Sequence, residues 1–322
     1  VRAIRITELN GPDSVDLAEV EAPTPNPDEV MIEVRAAGVT FPDVLMTRGE
    51  YQLKPDPPFV PGSEVAGVVR SAPESADVQV GQRVAAFTGI GGFADLATAP
   101  PTNVFALPEN VSFTEAAGLP MNYLTVQFAL SRRGRLNPGE TVLVHGASGG
   151  VGTAAVQMAR AMGARVIAVV SQESKAESAR SAGAEHVVLA DGFRDAVAEL
   201  VGPRGTDIVV DPVGGDRFTD SLRCLGPEGR LLVIGFTGGE IPTVKVNRLL
   251  LNNLDVVGVG WGAFWRSRPD YLPHQWQELL PHLESGALRP LLGPTYSLTD
   301  AGRALRELDE RRATGKVVLT LS

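Results

Sequence analysis

A run of β-branched and apolar residues, Thr141 to Val144, breaks into glycines at 146, 149, 150 and 152 and then resumes as helix formers from Thr153 to Arg160. Strand, glycine turn and helix in this order predict the opening unit of a parallel sheet with a phosphate-binding turn. Glycine allows the tight turn and lets a pyrophosphate approach without meeting a Cβ. The free N–H groups and positive end of the following helix then hold the phosphates. The expected dinucleotide contacts are Gly146, Ser148, Gly149, Gly150, Val151 and Gly152. The plainer alternative is a turn that only packs a helix on a strand.

The pattern repeats. From about residue 123, strands are expected at 141–145, 165–170, 186–189, 207–211, 230–234 and 255–259, with helices at 150–162, 174–182, 194–201, 216–225 and 246–252. The strands are rich in Val, Ile and Leu, as burial on both faces requires. Such β-α alternation predicts a doubly wound α/β sheet. Before residue 123, β-rich runs at 30–34, 65–69 and 80–87 lie between Gly and Pro, which predicts a β-rich domain. Pro23, Pro25 and Pro27 form a stiff connector. Helices around 276–284 and 300–312 and a last strand at 316–321 are expected to return to that first domain. The division is therefore 1–122 with 260–322, interrupted by 123–259.

The 322 residues suffice for two domains. A formal charge of −9 argues against nucleic acid or an anionic membrane surface as partner. No apolar run reaches the length of a membrane span, and the first residues alternate like a strand, without the apolar core of a signal peptide. The single cysteine, Cys224, excludes an internal disulfide and a multi-cysteine zinc cluster. A cytoplasmic location is expected.

The second strand of the α/β domain ends Val169-Val170-Ser171-Gln172, with no carboxylate at its tip. An Asp or Glu there would accept both adenosine ribose hydroxyls and favour NAD(H). Ser171 with the nearby Lys175 suits a 2′-phosphate instead. NADPH is the expected cofactor, and Glu173, between the two, could alter that choice by pointing inward.

Five segments occur in order: Ala36-Ala37-Gly38-Val39, Pro58-Phe59-Val60-Pro61-Gly62-Ser63-Glu64, Gly81-Gln82-Arg83-Val84, Gly92-Phe93-Ala94-Asp95 and the glycine turn from His145. Together they resemble the medium-chain dehydrogenases/reductases, and within them the zeta-crystallin-like NADPH:quinone oxidoreductases. The resemblance spans the whole chain. It implies a GroES-like catalytic domain interrupted by a Rossmann domain, and a homodimer paired through the last Rossmann strand. The zinc alcohol dehydrogenases of this superfamily carry Cys and His where this chain has Thr40 and Ser63. Neither hydroxyl suits zinc, so no metal is expected. His145, His186, His274 and His282 have no ligand spacing and read as surface residues of strands or helices.

The resemblance places further residues around an inter-domain cleft. Thr40, where relatives often have Asn, would hydrogen-bond an acceptor carbonyl or the cofactor amide. Asp43 is expected to fix structure. Tyr51 would donate to the acceptor oxygen, or else pack on Pro55, Pro57 and Pro58. Thr125, Phe236, Thr237 and the 258–262 run, with Gly260, would meet the nicotinamide half. Lys316 resembles the family's closing Gly-Lys pair and would bind the cofactor, or is a strand-edge charge. Trp261, Phe264 and Trp265 would shape an acceptor pocket, a dimer contact or the inter-domain core, with Arg266 and Arg268 able to attract an anionic acceptor. The leading expectation is reduction of quinones by NADPH, with electrons moving as a hydride or singly. The alternatives are reduction of activated C=C bonds in enones or enoyl thioesters, and a non-catalytic NADPH-binding protein of crystallin type.

Overall fold

Period-two burial governs the first structural unit: β3 (Val30–Gly38) turns Val30, Ile32 and Val34 inward and exposes more of the residues between. The computed structural model describes residues 1–321. The first unit holds residues 1–122, 269–285 and those from 289 onward. Before β3 come β1 (Arg2–Ile6) and β2 (Val15–Glu19), an antiparallel pair. After it come α1 (Phe41–Met46), β4 (Glu64–Ser71), β5 (Arg83–Phe87), β6 (Leu96–Ala99), β7 (Val104–Ala106) and α2 (Phe113–Ala116). Val80, expected to open a strand, lies instead in an exposed turn where Gly81 adopts a φ of 87°.

Helix α3 (Pro120–Gln127) straddles the boundary and runs on as a π-helix over Phe128–Arg133. The second unit, residues 123–268 with 286–288, then alternates as expected. It contains β8 (Thr141–Val144), α4 (Gly150–Ala161), β9 (Arg165–Val170), α5 (Ala176–Ala182), β10 (His186–Leu189) and α6 (Phe193–Val201). There follow β11 (Thr206–Asp211), α7 (Phe218–Cys224), β12 (Leu225–Val233), α8 (Asn247–Asn252), β13 (Asp255–Gly258) and α9 (Trp261–Trp265). All neighbours are parallel, in the order β10-β9-β8-β11-β12-β13. The order reverses direction beside β8, which places the glycine turn at the switch point where doubly wound sheets bind ligands. Leu143, Ile167, Val209 and Leu231 from the strands pack with Phe193 and Phe218 from the helices.

The return to the first unit is made by α10 (Tyr271–Glu284), β14 (Leu292–Ser297), α11 (Ala301–Asp309) and β15 (Lys316–Thr320). β15 lies between β14 and β3, antiparallel to the latter. α11 buries Ala301, Ala304 and Leu305 in the same core as Val65, Val84 and Val317. The second unit runs to residue 268 rather than 259, because α9 packs within it: the rings of Phe264 and Phe128 lie 5.0 Å apart.

Candidate active site

In the second unit, β8 ends at Val144 and the chain turns through Gly146, whose φ of 57° favours glycine. Gly149 caps α4, its N–H donating to the Gly146 carbonyl (3.0 Å) and its own carbonyl accepting from Thr153 N–H (2.8 Å). A Cβ on Gly152 would lie 2.1 Å from the Gly146 oxygen, so only glycine lets the helix start this close to the turn. The N–H groups of Gly150 and Val151, in the first turn of α4, lack intrahelical acceptors and stand half-exposed beside buried Ser148. Donors left free at a helix N-terminus are of the kind that can hold an anion such as a dinucleotide pyrophosphate.

Ser171 is exposed directly after β9. Glu173 is exposed and paired with Arg180 at 3.4 Å. Lys175 is half-buried, and burial lowers the pKa of its ammonium. Ser171 opens onto a cavity of about 560 Å³ shared with Asp191, Asp216, Asp220 and the guanidiniums of Arg194 and Arg217. Arg194 is held by Asp195 (2.7 Å) and Asp220 (3.9 Å). Asp191 and Arg217 escaped the reading of the sequence because they follow β10 and β11, which lie on either side of β9 and β8 in the sheet. The available signal was the rule that residues beyond the carboxyl ends of the strands face the ligand.

Of the other residues expected in this unit, Phe236, Thr237 and Gly260 follow strands at these carboxyl ends, and Thr125 does not. Phe236 and Thr237 follow β12, with Thr237 N–H and Oγ1 both donating to Pro212 O at 3.1 Å. Gly260 caps α9 after β13, and Thr125 is half-exposed on α3. His145 departs from the surface reading. It is fully buried, donates from Nε2 to Ser221 Oγ at 2.8 Å, and meets the Phe193 ring edge-on at 4.9 Å. Ser221 Oγ itself donates to Arg217 O, which fixes the Nε2–H tautomer and leaves Nδ1 without a partner. Burial pushes the imidazole pKa down to about 4 against the opposing field of Asp211.

In the first unit, Thr40 caps α1 in a capping box with Asp43. Thr40 Oγ1 donates to Asp43 Oδ2 at 2.6 Å, Thr40 N–H donates to the same oxygen at 2.8 Å, and Gly62 N–H donates to Oδ1 at 3.3 Å. Burial lifts the Asp43 carboxyl to about 6, against the pull of Thr40 and of Lys316. Ser63 Oγ lies 3.3 Å from Thr40 Oγ1. Tyr51 is half-buried against Ile6, Met46 and Phe59. Lys316 is neither exposed nor on a strand edge: its Nζ donates to Glu64 Oε1 (2.5 Å) and Val39 O (2.9 Å), inside the sheet.

Residues 26–109 match the alcohol dehydrogenase GroES-like domain, and residues 150–285 match the zinc-binding dehydrogenase family. The chain is 38% identical to rat (Rattus norvegicus) quinone oxidoreductase-like protein 2, over 99% of this chain and 92% of that protein. A probable oxidoreductase from Mycobacterium abscessus is 46% identical, with a TM-score of 0.91, covering 99% of this chain and 98% of that one. The quinone oxidoreductase of Thermus thermophilus, solved alone and with NADPH, is 36% identical with a TM-score of 0.87 over the whole of both chains. The chain belongs to the quinone oxidoreductase family of the medium-chain dehydrogenases/reductases, with a GroES-like unit and a Rossmann unit.

The family description raises the question of zinc. The residues at the expected ligand positions do not suit it: Thr40 spends its hydroxyl on Asp43, Ser63 offers a second neutral hydroxyl, and zinc is held by thiolate, imidazole or carboxylate. Among the described residues no three His, Cys, Asp or Glu side chains cluster as a metal site. No helix among them is long and apolar enough to cross a membrane.

Proposed function

We propose that the chain reduces quinones with NADPH, without a metal. The observation that supports this reading is the turn from Gly146 to Gly152, where Gly152 lets α4 begin against the Gly146 carbonyl and the first residues of the helix, Gly150 and Val151, stand half-exposed. NADPH, when bound, supplies the hydride. The chain's residues bind and orient: the first N–H groups of α4 hold the pyrophosphate, while Ser171 and Lys175 receive the 2′-phosphate. Phe236, Thr237, Gly260 and Thr125 bound the nicotinamide half. Thr40, held by Asp43, aligns the acceptor carbonyl, and Tyr51 offers it a phenolic hydrogen bond. A quinone's reduced anion is delocalised, so positioning and exclusion of water suffice without a Lewis acid.

The test follows cofactor oxidation with NADPH or NADH against quinones, enones and a crotonyl thioester. Turnover of quinones with NADPH supports the reading. Turnover confined to enones or the thioester moves the assignment to C=C reduction, and tight NADPH binding without turnover favours a binding protein.

A second copy of the chain is the partner proposed for the open edge of β13. In α8, which precedes β13 in the chain, Leu250 and Leu251 are 77% and 75% exposed, with Val246 at 72% just before them. An unpaired strand edge and bared apolar side chains suit burial against a copy. A monomer by sedimentation at micromolar concentration contradicts this assembly.

A further inference from the structure

The chain is acidic, yet in the second unit two exposed arginines lie against one ring, and two more exposed arginines are adjacent to them in the chain or separated by one residue. The guanidinium carbon of Arg268 lies 4.2 Å from the centroid of Phe264, and that of Arg132 lies 4.6 Å from it. Arg268 is fixed further by donating to Phe264 O (2.8 Å) and Ser267 Oγ (3.0 Å). Arg133, at the end of the π-helix, donates from Nε to Gly258 O (2.9 Å), the last residue of β13. Arg266 caps α9, two residues after Phe264.

Among the described residues, none of these four meets a carboxylate. Elsewhere Arg2, Arg48, Arg230 and Arg289 each close on an Asp or Glu. Cations held against one ring repel each other, and the ring's negative face offsets only part of that repulsion. An anion would complete the arrangement, and guanidinium forks match carboxylate, sulfonate and phosphate oxygens in pairs. Of the aromatic rings here Phe128 and Trp261 are buried, and the apolar surface left beside the arginines belongs to the partly exposed Phe264 and Trp265. The position suits a reactant, since α9 begins directly after Gly260, at the carboxyl end of β13.

We propose that the α9 face recognises an anionic, flat electron acceptor, one bearing a carboxylate, sulfonate or phosphate, and so selects charged acceptors over neutral ones. The proposal rests on the reductase reading above. The basic patch is assembled from two segments far apart in the chain, within an otherwise acidic composition.

The test pairs a neutral naphthoquinone with its ring-sulfonated analogue, both reduced with NADPH by the wild type, by Arg266→Gln/Arg268→Gln and by Arg132→Gln. Differences in intrinsic reactivity cancel in the ratio of variant to wild type. The double variant is expected to lose about tenfold in kcat/KM on the sulfonate and to change less than about twofold on the neutral quinone. The wild-type preference should shrink in about 0.5 M salt. Equal losses on both acceptors, or no loss on the sulfonate, overturn the proposal. The Kd of the sulfonate for the NADP-saturated protein, read by tryptophan fluorescence, separates the two readings. If neither quinone turns over, quinone reduction fails as the function. The Kd then decides the site alone: weakening by about tenfold in the double variant upholds it, and an unchanged Kd overturns it.

Discussion

Lys316 Nζ donates to Glu64 Oε1 at 2.5 Å, joining β15 to β4 across β3, with both side chains buried. Each member has a further partner: Val39 O takes a second proton of the ammonium at 2.9 Å, and Glu64 Oε2 accepts from Met121 N–H at 2.7 Å. Gly38 leaves the room, since a Cβ there would lie 2.6 Å from Glu64 Oε1 and 2.8 Å from Lys316 Cε.

Removing one member leaves a buried charge alone, whereas removing both need not. Lys316→Met is therefore expected to cost about 3–5 kcal/mol in urea unfolding, and Lys316→Met/Glu64→Leu to recover most of it. A single variant costing under about 1 kcal/mol would show that the pair is dispensable.

Asp43 gives a pH signature. Its carboxyl is lifted from 3.8 to about 6, so the folded chain binds this proton more tightly than the unfolded chain. The contribution is fully present below 3.8 and is lost as pH rises through about 6. Asp43→Asn, neutral throughout, lacks this dependence. Its stability relative to wild type should rise by about 3 kcal/mol across that window. Urea midpoints that track in parallel at every pH would refute the assignment.

What the sequence made legible follows from how far each signal reaches along the chain. The Rossmann unit could be read because its strands and helices are local, periodic and punctuated by glycine. Helix α9 could not: Trp261-Gly-Ala-Phe-Trp265 has no polar face and contains a glycine, so it reads as loop until Phe128 gives Phe264 something to pack on. Lys316 and Glu64 lie 252 residues apart, and nothing near either residue announces a partner. His145 looked like a strand-end surface residue, and its burial depends on Phe193 and Ser221 arriving from later helices. Around Thr40, Asp43 reads as a structural residue, but its capping box with Thr40 and the contact between Thr40 and Ser63 emerge only in the fold.

Gly152 tests the proposed anion seat at the start of α4. Gly152→Ala sets a Cβ 2.1 Å from the Gly146 oxygen and forces the turn away from α4. A loss of about 2 kcal/mol in stability is expected, together with a loss of NADPH affinity by about tenfold or more, about 1.4 kcal/mol. A variant that melts like wild type and binds NADPH equally well would place the cofactor elsewhere.

Asp191 tests which charge governs cofactor choice. It faces the cavity that Ser171 opens, where a 2′-phosphate would meet a like charge. Asp191→Asn is expected to raise the ratio of NADPH to NADH in kcat/KM by about tenfold, while Lys175→Gln lowers it by a similar factor. An unchanged ratio in both variants would remove this end of the sheet from the choice.

His145 supplies the acid-side counterpart of Asp43, with the opposite sign. An unfolded imidazole titrates near 6.5, whereas burial holds the folded one down at about 4. The folded state therefore binds its proton less readily, and stability that is intact above 6.5 is lost as pH falls toward about 4. An asparagine in its place would keep a donor for Ser221 without a titrating ring, so His145→Asn should be less stable at neutral pH, where the Phe193 contact is lost. The variant should then fall away less steeply in acid, narrowing the gap by up to about 3 kcal/mol. The comparison is made as a difference between variant and wild type at each pH, so the carboxylates common to both cancel. Parallel curves from neutral pH down to about 4 would mean that His145 is reached by protons only after the unit has already opened.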